Sequence, residues 1–125
     1  MQLEEKISGS ELEIMKVLWD AKRALSLKEI RQAVQSKRDW NDSTIKTLLR
    51  RLHEKEIVKQ EKKTVFLYTP MITKREYNQF VMKNMMDNLF SGSARNMVAS
   101  MVQDNLLTPE DVEELQKLLK GAEDA

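Results

Sequence analysis

A mainly α-helical fold with one short β insertion is predicted by three features of the sequence. Glycine and proline are scarce, three and two in 125 residues, so little interrupts long helices. Helix starts of the form Ser/Thr-x-x-Glu/Asp recur, in which a hydroxyl accepts from the third helical amide and the carboxylate reaches back to the cap. Apolar residues follow helical spacing along most of the chain, and only one stretch, "IVKQEKKTVFLYTP", has strand character.

The starts Ser10/Glu13, Ser26/Glu29, Thr73/Glu76 and Thr108/Asp111 each fit the reciprocal cap. After Ser10, Leu12, Met15, Leu18 and Trp19 form an apolar stripe that Ile14 and Val17 broaden. After Ser26, Leu27, Ile30 and Val34 define a shorter helix that ends in the polar "SKRD". A third helix opens at Asn41 or Asp42, and Ile45, Leu48, Leu49 and Leu52 give it one buried face. At about 100° per residue, Ser43, Thr47, Arg50 and Glu54 lie opposite that face, with Lys46 and Arg51 beside them and Thr44 toward the rim. Strands at 57–60 and 64–69, separated by "EKK", make a hairpin with a basic tip that carries Lys62 and Lys63. Pro70 cannot donate to a ladder and ends the second strand.

Beyond Pro70 the pattern is wholly helical. Tyr77, Phe80, Val81, Met85 and Leu89 make one stripe, and Met97, Val98, Met101 and Val102 a second. Val112, Leu115, Leu118 and Leu119 make a third, opened by Thr108-Pro109 and closed by Gly121. Three helices in so short a segment form too thin a core to stand alone, and a second copy of the chain would complete it. Six of the eight methionines lie between positions 71 and 101. Flexible thioethers suit an interface between chains, and equally the filling of gaps within one chain. The expected division is residues 1–70 and 71–125.

Composition excludes several chemistries. With no cysteine there is no disulfide framework, thiolate metal site or cysteine nucleophile. The single histidine, His53, has no second histidine or cysteine to support catalysis or metal binding, and no glycine-rich phosphate loop or nucleophile elbow occurs. Neither an enzyme, a metal site nor a bound cofactor is expected. No window approaches the apolar length of a membrane span, and the N-terminus lacks a signal-peptide pattern, so a cytoplasmic location without membrane insertion is expected.

The net charge of +1 conceals a division: residues 1–70 hold 15 basic against 11 acidic residues, and residues 71–125 hold 6 against 9. Such a split is compatible with ordinary surface variation. Within residues 31–63, however, ten basic residues face five acidic ones. Three helices followed by a hairpin, with the third helix basic outside, is the order of a winged helix-turn-helix, whose second paired helix enters the DNA major groove. In that arrangement hydroxyls and Arg on the helix are expected to read base edges, and Lys62 and Lys63 on the hairpin to reach flanking phosphates. The same surface also suits an acidic protein partner, because fold alone does not decide function.

The runs "ISGSELEIMKVLWD", "LSLKEI", "DWNDSTIKTLLRRLHEKEIV", "VFLYTP" and "LTPEDVEELQKLL" together resemble the penicillinase-repressor family of BlaI/MecI type, related to the copper-responsive CopY repressors. Trp40 with Thr44, Ile45, Thr47, Leu48, Arg51 and Leu52 is the most specific part. The resemblance implies a homodimeric transcriptional repressor bound to a double-stranded DNA operator, a palindrome of TACA/TGTA type, with Ser43, Thr44, Lys46, Thr47 and Arg51 facing DNA. It implies dimerisation through the helical segment, where Phe80, Met85, Leu89, Met97, Met101, Leu115, Leu118 and Leu119 stand. In the antibiotic-responsive members, which control β-lactam resistance, a membrane sensor-protease pathway leads to cleavage in that segment. The corresponding bond here lies near Ser100-Met101, without the family's usual Asn-Phe pair, and the cysteine-rich motif of CopY-type members is absent. Where relatives often place glycine after the recognition helix, this chain has Glu56.

Overall fold

The sequence "SGSELE" offers two hydroxyls, each with a glutamate three residues on, and the computed structural model, which describes residues 7–124, uses the first. Ser8 Oγ accepts from the Glu11 amide at 3.1 Å, and Glu11 Oε1 accepts from the Ser8 amide at 2.8 Å. Helix α1 therefore runs Gly9–Ala21, and the cap expected at Ser10/Glu13 is corrected to Ser8/Glu11. The reason is tertiary: Glu11 is 1% exposed and receives the Lys55 ammonium at 2.7 and 2.9 Å, whereas Glu13 turns outward to Lys16 and Arg38.

The other reciprocal caps form as expected, at Ser26/Glu29, Thr73/Glu76 and Thr108/Asp111. Strand β1 (Leu25–Ser26) precedes helix α2 (Leu27–Gln35), and helix α3 (Asp42–Glu54) is capped by Asn41, whose side chain accepts from the Thr44 amide at 2.9 Å. Strands β2 (Val58–Lys62) and β3 (Phe66–Pro70) follow, then helices α4 (Lys74–Leu89), α5 (Ala94–Gln103) and α6 (Pro109–Asp124). The hairpin differs from the expected one in its ladder. Lys62 pairs with Phe66 inside it, so the tip is residues 63–65 rather than "EKK". The sheet also has a third strand that no sequence signal announced, because β1 has only two residues and owes its extended form to pairing with β3.

α1 packs against α2, α3 and β3, and the core among them holds Ile14, Met15, Leu18, Leu25, Ile30, Val34, Ile45, Leu48, Leu49, Leu52, Ile57 and Val58. Leu12, Val17, Trp19 and Leu27 pack against it while partly exposed. The chain divides into two units, Met1–Met82 and Lys83–Ala125, with the division inside α4. In the first unit, Trp19 Nε1 donates to the Ile72 carbonyl at 2.9 Å and its ring lies 5.7 Å from that of Tyr77. In the second unit, among the described residues, no extensive packing joins α5 to α6. Among the described residues, none of α4 to α6 is fully buried.

Candidate nucleic-acid interface

Helix α3 presents a polar crest because its apolar residues are all spent on the core. Ile45, Leu48, Leu49 and Leu52 are buried, and Ser43, Thr44, Lys46, Arg50 and Arg51 are exposed, with Thr47 half-buried. The helix is fixed at three points. Asp42 receives Arg31 of α2 at 2.8 Å, which ties the start of the helix to α2, and the buried Glu11 holds Lys55 just past the C-terminal end. There the chain turns through Glu56 at φ 63°, while Ile57 donates to Leu52 and Glu56 to His53, the two bonds of a Schellman cap. The left-handed turn therefore persists without glycine and delivers Ile57 into the core.

Two grooves flank the crest. Toward the hairpin lies a cavity of about 750 Å³, whose apolar floor includes Phe66 and Tyr68 and whose rim holds Lys28, Arg31, Lys46 and Lys62. Toward the N-terminus of α1 lies a second of about 510 Å³, lined by Ser8, Ser10, Trp40, Ser43, Thr44, Thr47, Leu48 and Arg51. A ridge of hydroxyls and cations between two channels matches a helix set in a groove whose phosphate strands run on either side.

The expected site residues separate by how they are held. Thr44, Thr47 and Arg51 share one groove, and the Arg51 side chain has no hydrogen bond or ion pair among the described residues. Arg50 donates to Glu54 of its own helix at 3.1 Å. Lys46 and Lys62 share the other groove, where the Lys62 ammonium stands 5.7 Å from the Phe66 ring centroid. Lys63 lies beyond it and pairs with Glu61 at 2.9 Å. Lys63, through its hydrogen bond and charge, and Lys59 through its charge hold the Glu61 carboxyl below its ordinary range, and the Lys63 ammonium is raised in turn. Sequence reasoning missed Lys28, Arg31 and Phe66 because their place in the site depends on how α2 and β3 approach α3. His53 Nδ1 lies 3.3 Å from the Val58 carbonyl oxygen.

The sequence profile described as "Penicillinase repressor" matches residues 7–121. The chain belongs to the penicillinase repressor family. This is a family of repressors rather than enzymes. The methicillin resistance regulatory protein MecI of Mammaliicoccus sciuri is 30% identical over 115 residues, 91% of this chain and 93% of that protein. The solution structure of the DNA-binding domain of the repressor BlaI superposes with a TM-score of 0.52 at 35% identity, over 62% of this chain and 94% of that one. A second solution structure, of monomeric Bacillus licheniformis BlaI in complex with the blaP half-operator, gives 0.51 at 36% identity, over 57% and 87%. As in those neighbours, the N-terminal part of this penicillinase repressor relative is a winged helix. Among the described residues no helix is long and apolar enough to cross a membrane.

Proposed function

We propose that this chain is a homodimeric transcriptional repressor that occupies a palindromic TACA/TGTA-type operator and excludes polymerase from the promoter. The observation that carries the reading is the crest of α3, with Ser43, Thr44, Lys46, Arg50 and Arg51 exposed and a cation-bearing groove on each side. Arg51, Thr44 and Thr47 read base edges, and Lys46, Lys62 and Lys63 hold phosphates. The BlaI structure with a half-operator supports this assignment by likeness. Dimerisation belongs to residues 71–125, whose apolar stripes, including Phe80, Met85, Leu89, Met97, Met101, Leu115, Leu118 and Leu119, are at most partly covered within one chain. Twofold symmetry then places two α3 helices about one DNA turn apart on an inverted repeat.

The relatives' names, a methicillin resistance regulatory protein and a penicillinase repressor, support β-lactam resistance genes as the first targets. Action in the cytoplasm, downstream of a membrane sensor-protease pathway, belongs to the same proposal. Cleavage would fall near Ser100-Met101. That bond lies within α5, where the Ser100 carbonyl accepts from Asp104, so a protease acts only after the helix unwinds locally. The missing Asn-Phe pair favours a second reading, in which a repressor of this family answers a different signal. A mobility shift decides the DNA reading. A duplex with the inverted repeat should bind about a thousandfold or more tighter than a scrambled duplex at the same salt. Equal, salt-insensitive binding to both would point to a protein partner instead.

A further inference from the structure

Helix α1 ends at Ala21 and Lys22 turns the chain with φ 57°, while β3 ends at Pro70 and passes through residues 71–73 into α4. Between these turns lies a groove of about 550 Å³ whose floor is apolar: Leu18, Trp19, Pro70, Met71 and Ile72. It shares no lining residue with either groove beside α3. Several of its polar atoms are committed to the fold. Trp19 Nε1 donates to Ile72, the Thr73 hydroxyl caps α4, and Arg23 is held by Glu29. Lys22 and Lys74 also line it, both exposed, and their ammonium groups have no hydrogen bond or ion pair among the described residues.

An apolar floor of this size beside a few uncommitted polar groups is the usual make-up of a small-molecule site. We propose that the groove binds a small apolar monocarboxylate, its hydrocarbon part over Trp19, Pro70 and Met71 and its carboxylate met by the Lys22 and Lys74 ammonium groups. Asp20, on the same lining, repels a second negative charge and selects a monoanion over a dianion. Residues 71–74 also carry the chain from the hairpin into α4, so an occupant bears on that passage from outside the DNA-facing surface. The site is independent of the operator reading.

The two tryptophans provide the test, because Trp19 lines this groove and Trp40 lines the one beside α3. In ¹⁵N-labelled full-length protein, with the indole signals assigned through Trp40→Phe, phenylacetate should shift the Trp19 N–H saturably and leave Trp40 still. The neutral 2-phenylethanol and the dianion benzylmalonate should bind more weakly. Lys22→Gln combined with Lys74→Gln should weaken phenylacetate by about fivefold, since each exposed ion pair contributes modestly, without changing 2-phenylethanol. An unchanged thermal midpoint verifies that the variant is folded. Absence of a saturable Trp19 shift through the millimolar range, joint movement of both indoles, or equal phenylacetate affinity in the double variant would overturn the proposal. A half-operator duplex should instead move Trp40, and its failure to do so would count against DNA binding while leaving the Trp19 result standing.

Discussion

Arg50 and Arg51 are adjacent and chemically identical, yet the fold gives them different freedom. Arg50 is held by Glu54 on its own helix, an exposed pair that contributes at most about 1 kcal/mol, whereas Arg51 is uncommitted in the groove with Thr44 and Thr47. Arg51→Ala is therefore expected to weaken operator binding by about 1–3 kcal/mol if it reads a base, and Arg50→Ala by less. Titration of both variants against the same duplex tests the ranking, and equal losses would refute it. Helical period alone placed both residues on the outer face, but it could not distinguish them, because the distinction lies in side-chain pairing. Glu11 was wholly illegible for a similar reason: its partner Lys55 is 44 residues away. Burial raises the Glu11 carboxyl, but the Lys55 ammonium and the Ser8 amide and hydroxyl more than offset this, leaving it below the ordinary value of 4.5. A depressed folded value means that the pair stabilises fully above 4.5 and loses its contribution as pH falls through the folded value. Glu11→Gln should cost about 1–3 kcal/mol at pH 7. The gap from the parent in urea denaturation should narrow below pH 4.5, whereas a gap independent of pH would place the effect elsewhere.

At the scale of elements, helices were legible because each cap and stripe is local, and strands were legible only where they had length. β2 and β3 show in composition, whereas β1 is two residues defined by Leu25 opposite Tyr68 and Ser26 opposite Leu67. The basic tip likewise looked simpler in sequence than it is in the hairpin. Glu61 accepts from Lys63 and stands 3.8 Å from Lys59, so it competes with any phosphate for both ammonium groups. Glu61→Gln should tighten duplex binding about two- to fivefold at low salt and steepen its salt dependence. Lys63→Ala should do the reverse, with the slope shallower by about one. Identical slopes for the two variants would remove the hairpin tip from the phosphate contacts. The end of α3 provides a stability counterpart. Glu56 adopts φ 63°, a conformation that costs an L-residue roughly 1–2 kcal/mol. Glycine relieves that strain but adds unfolded-state entropy, so Glu56→Gly should stabilise by about 0.5–1 kcal/mol in urea denaturation. A destabilised variant would mean that the Glu56 side chain makes a contribution larger than its strain.

For the whole molecule, the two units differ in how much of their apolar surface one chain can cover. The stripes of α1 to α3 meet in a core of fully buried side chains, but Leu89, Leu118 and Leu119 remain 71%, 69% and 67% exposed. The sequence showed all of these stripes equally well; what it could not show was which ones find partners within the chain. Each exposed leucine that becomes fully buried contributes about 1.5–3 kcal/mol, so a second copy gains substantially from covering this segment. In the proposed mode of action, operator occupancy then depends on that coverage, because one chain would grip only half of an inverted repeat. Replacing Leu118 and Leu119 together with glutamate should convert the protein to a monomer in sedimentation while leaving the core among α1 to α3 intact. Affinity for the full palindrome should fall by orders of magnitude as the second grip is lost, and affinity for an isolated half-operator should stay unchanged. If the variant remains a dimer, α6 is not part of the interface. If it becomes a monomer and still binds the palindrome as tightly as the parent, then dimerisation does not control repression, and cleavage in α5 would have no means of releasing the DNA.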